Sequence, residues 1–247
     1  MGVSSIRFLS KIFAILIWLA AWQIASQIID NTLLLVSPIA VFARLIELAA
    51  TGGFWRIIGL SLSRILGGFL MSLLVGIILA SISARNRLIY IILQPPLTII
   101  KTVPVASFVI LLIFWLGGER MAFAISFITV LPVIYFNVYE GIISIDPKIL
   151  EMAGVFRISP LRRLRHIYFP HVLPHIIAAA SSGLGFAFKA GISAEVIANV
   201  GRSIGFYLMS ARRFLVMQDL FAWTIAIIVI SVTIERGFLW ILRKIAR

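Results

Sequence analysis

Apolar residues in this chain gather into long unbroken runs separated by short polar segments. Six runs stand out, at 12–29, 57–81, 88–116, 121–143, 174–198 and 219–241. A helix that crosses a bilayer needs roughly 20 mostly apolar residues, and these runs meet that length. They are continuous rather than alternating, which argues against a transmembrane β-barrel. The pattern therefore predicts an all-α, polytopic membrane protein with about six transmembrane helices, the whole of 1–247 forming one membrane domain. The first run is longer than the ~7–15-residue core of a signal peptide and lacks a small-x-small cleavage site, so it reads as a retained helix. Ser37-Pro38 predicts the start of an amphipathic surface helix over 39–50. The segment 199–218 reads as partly helical. The third run is interrupted by Gln94-Pro95-Pro96 and Val103-Pro104, with Lys101 between them. Prolines remove backbone donors and kink helices. That leaves two readings: a broken span, or a segment before Pro104 lying along the membrane surface.

The polar segment 144–173 has its own order. Asp146-Pro147 is a helix start, with Asp146 as cap and Pro147 in the first turn. A short helix is expected over 148–157. Ser159-Pro160 starts a second one through Tyr168, and Phe169-Pro170 and Pro174 close the loop. On the second helix Leu161, Leu164 and Tyr168 share one face while Arg162, Arg163 and Arg165 point elsewhere. A loop with an exposed mixture of apolar and charged groups is suited to a soluble partner.

Composition sharpens the picture. Hydrophobic residues make up 62% of the chain and its formal net charge is +13. In a soluble protein that charge would suggest nucleic acid; here basic residues at helix ends facing the cytoplasm explain it better. With the N-terminus inside, the inner segments hold Arg7, Lys11, Arg85, Arg87, Lys148, Arg157, Arg162, Arg163, Arg165, Arg236, Arg243, Lys244 and Arg247. The outer segments hold Arg44, Arg56, Arg120, Arg202, Arg212 and Arg213, and thirteen against six places both termini in the cytoplasm. There is no cysteine, hence no disulfide or thiolate metal site. His171 and His175 have metal-pair spacing, but Pro174 disturbs the helix and no carboxylate completes a site. No G-x-x-x-x-G-K-[ST] phosphate loop occurs, so the chain has no ATPase site of its own. No G-x-S-x-G or readable Ser–His–Asp set occurs either, and no enzyme activity is expected.

Two patterns inside the runs carry further expectations. Gly68, Ser72, Gly76 and Ala80 are four apart, as are Ala179, Gly183, Ala187 and Gly191. Such stripes let another helix approach closely, within the subunit or at a subunit interface. Charges within spans default to a functional hypothesis, and Lys101, Lys189 and Glu195 are the candidates for lining a translocation path. The competing reading for Lys189 is an ion pair with Glu140 or Glu195. Arg64 is read as snorkelling to the outer interface.

Glu151-Met152-Ala153, Arg157 and Ile167-Tyr168-Phe169-Pro170 resemble the cytoplasmic signature of permease subunits of binding-protein-dependent ABC importers: Glu-Ala-Ala, three residues, Gly, nine residues, Ile-x-Leu-Pro. The spacing matches, with Met for Ala, Arg157 for Gly and Phe for Leu. Asn137-Val138-Tyr139-Glu140-Gly141, Ile145-Asp146-Pro147, Pro95-Pro96, Pro104-Val105-Ala106 and the stretch from Phe188 to Ile197 are similar to the nitrate/sulfonate/taurine branch. The similarity covers about 57–241. It implies a type I importer fold in which 144–173 is a coupling loop docking on a cytoplasmic ATPase dimer. Glu151, Met152, Ala153, Gly154, Arg157, Ile167 and Pro170 would form that contact. It also implies a second permease subunit (a homodimer), an extracytoplasmic solute-binding protein, ATP used only by the partner, a bacterial inner-membrane location, and a small anion as solute. The alternatives are a stand-alone channel or secondary carrier, or a permease for another solute such as a thiamine precursor.

Overall fold

The computed structural model describes residues 3–245, which form helices joined by short turns, with no strand among the described residues. The side chains of Arg7, Lys11, Arg243 and Arg247, four of the charges in the orientation count, lie outside those described. The chain opens with α1 (Val3–Ile29) and the surface helix α2 (Pro38–Ala49). Ser37 caps α2 by accepting from the Ala40 N–H. Then come α3 (Gly52–Arg85), α4 (Arg87–Thr102), α5 (Val105–Leu116), a 3-10 turn, and α6 (Met121–Ile143). The polar loop forms α7 (Pro147–Val155) and α8 (Pro160–Arg163), followed by α9 (Phe169–Ile197), α10 (Ile204–Arg213) and α11 (Met217–Ile245).

Four segments are long and apolar enough to cross a membrane without a break: Gly52–Arg85, Gly118–Ile143, Pro160–Ile197 and Met217–Leu242. α4 and α5 together make a fifth, bent by 105°. Phe13–Ile29 is apolar but shorter.

The core is built on α6, which lies between α3 and α9. The small-residue stripes make this possible. A Cβ on Gly68 would overlap the carbonyl oxygen of Phe123, and one on Gly76 would sit 2.8 Å from Ile134 Cγ2. On α9, Gly183 faces Val130 and Phe69, and Gly191 faces Ser126 and Ile65. Ser72 and Ala187 are buried in the same seams. Ser126 Oγ donates to the Ala187 carbonyl at 3.1 Å. These stripes thus face neighbours in their own chain. Pairing of Gly68 with Phe123 and of Gly76 with Ile134 makes α3 parallel to α6, whereas Gly141 meets His175 and Gly183 meets Val130, so α9 is antiparallel. Gly76→Ala is expected to destabilise by about 1–3 kcal/mol through overpacking. Gly59→Ala, in open space on the same helix, is expected to be neutral or stabilising by up to about 1 kcal/mol. Thermal melts of the detergent-solubilised protein compare the two.

The run 88–116 is not one helix. Asn86 ends α3 and caps α4, accepting from the Leu88 N–H at 2.9 Å. Tyr90, at the start of α4, stacks on Tyr139, and Lys101, near its end, lies 5.8 Å over the Phe136 ring. Eleven residues of α4 therefore correspond to three residues of α6. This is the geometry of a helix lying across the end of the bundle where α3 and α6 finish, with Lys101 exposed. Pro104 then turns the chain, and α5 rises so that Val109 packs with Met121, Ile125, Ala190 and Ala194. The physical cause is the pre-proline restriction at Val103, which leaves the helical region at φ −74°, ψ 135°.

α1 touches the rest mainly through Trp22, which donates to the Val36 carbonyl at 3.0 Å and meets Phe221. α2 is fastened to α11 by the Arg44 guanidinium, bonded to Asp219 and to Glu47. These two carboxylates, Asp219 foremost, raise the Arg44 pKa above its ordinary value.

Candidate functional site

The polar loop leaves α6 through Ser144 and the buried Ile145. Asp146 Oδ1 accepts from the Lys148 N–H at 2.9 Å and starts α7, a cap worth about 1 kcal/mol. α7 ends in a Schellman motif: the Ile158 N–H reaches the Ala153 carbonyl and the Arg157 N–H reaches that of Gly154, both at 3.0 Å. In this motif the left-handed residue is Arg157, at φ +50°. The position where the resembled signature has Gly is thus the one whose backbone favours Gly. Left-handed geometry costs an ordinary residue about 1–2 kcal/mol, and Gly returns roughly 0.5–1 kcal/mol of that as unfolded-state entropy. Arg157→Gly is therefore expected to stabilise the loop by a few tenths to about 1 kcal/mol. Native-state hydrogen exchange at Arg157 and Ile158 measures it.

A residue the sequence reading left facing outward closes the loop. Arg163 Nε donates to the Ile158 carbonyl at 2.8 Å, and its Nη2 to the Ala153 carbonyl at 2.9 Å. The charge sits at the C-terminus of α7, where it complements the helix dipole. Basic residues shortly after a helix end were the available signal, but Arg162, Arg163 and Arg165 share it.

The second helix does not stop at Phe169-Pro170. A π turn at Leu164–Tyr168 joins α8 to α9, so Pro160–Ile197 is continuous. Pro170 falls in the first turn of α9, where a missing N–H is tolerated.

Glu151, Met152, Gly154 and Arg157 are exposed, as is Pro170, while Ile167 is half-buried. Ala153 is fully buried and its carbonyl is bonded within the loop, so it supports α7 rather than offering contact surface. The exposed surface of this loop has large apolar groups, with Val155 80% exposed, Phe156 72% and Leu161 75%, among the exposed charges Lys148, Glu151, Arg157 and Arg162.

At the opposite end of the bundle Glu195 is fully enclosed. Its Oε2 accepts from Ser61 Oγ at 2.9 Å and from the Gly205 N–H at 3.2 Å. Ser61 Oγ in turn accepts from the Ile204 N–H at 3.0 Å. Arg64 Nη1 lies 3.9 Å from Glu195 Oε1. The carboxylate thus takes the place of an anion at the N-terminus of α10 and ties α3, α9 and α10 together. Enclosure is at odds with the expectation that Glu195 lines a path. Arg64 is turned inward to Glu195 rather than snorkelling outward. Gly205 is required by this approach, since a Cβ there would overlap Glu195 and the Val196 backbone. No spacing in the sequence links Ser61 to Glu195 or Gly205.

Lys189 is exposed, with no carboxylate within 4.0 Å among the described residues. It lines a groove of about 270 Å³ between α9 and α11, together with Phe188, Ile192, Ser231 and Glu235. Glu235, unremarked in the sequence reading, accepts from Ser181 Oγ at 2.9 Å. Lys101 lies apart, on α4.

Residues 72–247 match the family described as binding-protein-dependent transport system inner membrane component. The putative aliphatic sulfonates transport permease protein SsuC of Escherichia coli is 34% identical over 200 residues, covering 79% of this chain and 75% of that protein. The taurine transport system permease protein TauC of Escherichia coli is 25% identical, covering 91% and 83%. The bicarbonate transport system permease protein CmpB of Synechococcus elongatus is 27% identical, covering 94% and 87%. Among solved structures, the inward-facing methionine ABC transporter MetNI superposes with a TM-score of 0.58 at 16% identity, covering 79% of this chain and 95% of that one. The all-helical bundle and the match over most of its length place this chain in the family of inner membrane components of binding-protein-dependent transport systems.

Proposed function

We propose that this permease carries a small anion of the sulfonate, taurine or nitrate type into the cell, driven by a separate ATPase that docks on α7 and α8. The observation that carries this reading is the exposed apolar surface of Met152, Val155, Phe156 and Leu161 beside Glu151, at the end of the bundle that receives α3 and α6. ATP binding closes the ATPase dimer and draws together the coupling loops of two identical permease subunits. Because α8 runs into α9 without a break, displacement of the loop is passed along α9 to the groove at Lys189. The π turn is the place where that helix yields. The two membrane states are then biased by nucleotide, and by a solute-binding protein docked at the outer end. Both termini lie in the cytoplasm, ATP is bound only by the partner, and the membrane is the bacterial inner membrane. The solute class rests on the sulfonate, taurine, bicarbonate and nitrate transport named for relatives.

Reconstitution with the cognate ATPase and binding protein tests the reading. ATP hydrolysis stimulated by loaded binding protein, together with uptake of labelled taurine or nitrate, is the expected result. Uptake without an ATPase would instead show a channel or secondary carrier. Lys189→Glu is expected to reduce anion uptake about tenfold or more by placing like charge in the groove, while ATPase assembly is retained. Unchanged uptake would remove Lys189 from the path.

A further inference from the structure

A second polar cavity lies apart from the Lys189 groove, at the same end of the bundle as α7. The last turn of α3, the first two turns of α4 and the final turns of α6 border an open-sided cleft of about 480 Å³, lined by Ser83, Ala84, Arg87, Tyr90, Ile91, Gln94 and Tyr139, with Arg87 and Gln94 exposed at its rim. Arg87, Tyr90 and Gln94 are three and four residues apart, so they share one face of α4. Leu88 and Ile92 lie off that face and are exposed. Tyr90 stacks on Tyr139 with ring centroids 4.5 Å apart, and Tyr139 on Tyr135 at 6.1 Å, which gives the cleft a stiff aromatic wall.

Three observations point to a ligand. Arg87 has no carboxylate within 4.0 Å among the described residues. Ser83 is 2% exposed and lines the cleft; its hydroxyl and the enclosed Tyr135 hydroxyl are within reach of each other and have no other partner. Only one of two paired hydroxyls can donate to the other, so one O–H donor is left to seek an acceptor. The lining also offers a cation and several donors but no carboxylate.

We propose that this cleft is a site for a tetrahedral oxyanion group, a sulfate, sulfonate or phosphate. Arg87 supplies the charge, and Ser83, Gln94 and Tyr139 supply hydrogen bonds. Because α4 lies across the end of the bundle where α3 and α6 finish, such a group can belong to a free anion or to the headgroup of an anionic phospholipid. The chemistry at Arg87 is the same for both.

The test uses the full permease–ATPase complex in nanodiscs. In discs of neutral lipid, binding of radiolabelled sulfate is measured. In discs containing phosphatidylglycerol, the anionic lipid retained on the protein is counted by native mass spectrometry. Wild type is compared with Arg87→Gln and Ser83→Ala. Arg87→Gln is expected to weaken the bound probe about tenfold or more, through loss of a charge-assisted hydrogen bond. Ser83→Ala removes the donor at the cleft and is expected to weaken the probe, and a thermal melt of the same variant reads separately the effect of leaving the Tyr135 hydroxyl without Ser83. Sulfate binding lost in both variants identifies a free-anion site. Phosphatidylglycerol retention lost in both, without sulfate binding, identifies a headgroup site. If wild type takes neither probe, or if Ser83→Ala and any folded Arg87→Gln protein hold both as wild type does, the proposal is overturned.

Discussion

Glu195→Ala is expected to melt far below wild type, and Glu195→Gln in between. The alanine variant removes the acceptor of both Ser61 Oγ–H and the Gly205 N–H and leaves Arg64 facing an empty site. Glu195 is hydrogen-bonded to Ser61 and Gly205 and faces Arg64 at 3.9 Å, and removing one side of a buried charge pair costs about 3–5 kcal/mol. At roughly 2–4 °C per kcal/mol for a chain of this size, the melting temperature falls by roughly 10 °C. Glutamine keeps an oxygen for Ser61 and Gly205 but loses the charge that faces Arg64. The order alanine, glutamine, wild type in a thermal melt is therefore the signature of the knot. Identical melting of all three would show that the enclosed carboxylate contributes nothing. α10 is expected to loosen first, which hydrogen exchange at Ile204 and Gly205 would register, because their N–H groups are bonded to the knot.

The second large effect is functional and leaves the fold untouched. Phe156→Asp alters a side chain that is 72% exposed, so its effect on stability is expected within about 0.5 kcal/mol. If Phe156 is buried in an ATPase groove, a charge there removes an aromatic anchor, and such anchors are commonly worth 2 kcal/mol or more. Association is then expected to weaken by roughly 30-fold or more, at about 1.4 kcal/mol per tenfold. Uptake falls with it, while melting does not change. Glu151→Ala tests the charged part of the same surface. Normal assembly, hydrolysis and uptake in both variants would remove α7 as the coupling contact.

What could be read from the sequence divides along a physical line. Long apolar runs, the Asp146-Pro147 and Ser37-Pro38 caps and the small-residue stripes are local signals, and each has a local structural counterpart. Lys101 and Pro104 signalled an irregular third run, but the direction of α4 came from contacts with Tyr139 and Phe136, forty or so residues away. Pro170 misled, because a proline in the first turn of a helix needs no donor and the π turn before it absorbs the change of geometry; Pro174 lies inside α9 without ending it. Glu195 shows the limit most clearly. A carboxylate in an apolar run reads as a path residue, yet its partners Ser61, Arg64 and Gly205 lie on two other helices and carry no spacing signal. Arg157 is the reverse case. The resemblance expected Gly there, and the left-handed backbone at φ +50° shows why that position favours it.

The most direct test of the account is site-specific crosslinking, since a chain without cysteine allows each introduced thiol to report alone. Phe156→Cys just beyond α7 and Phe214→Cys just beyond α10 are both at highly exposed positions, at opposite ends of the bundle. With a short thiol-reactive crosslinker in the assembled transporter, the account predicts an adduct between residue 156 and the ATPase, modulated by nucleotide, and none from residue 214. No ATPase adduct from 156, or one from 214, would contradict the assignment of α7 as the surface through which ATP drives this permease.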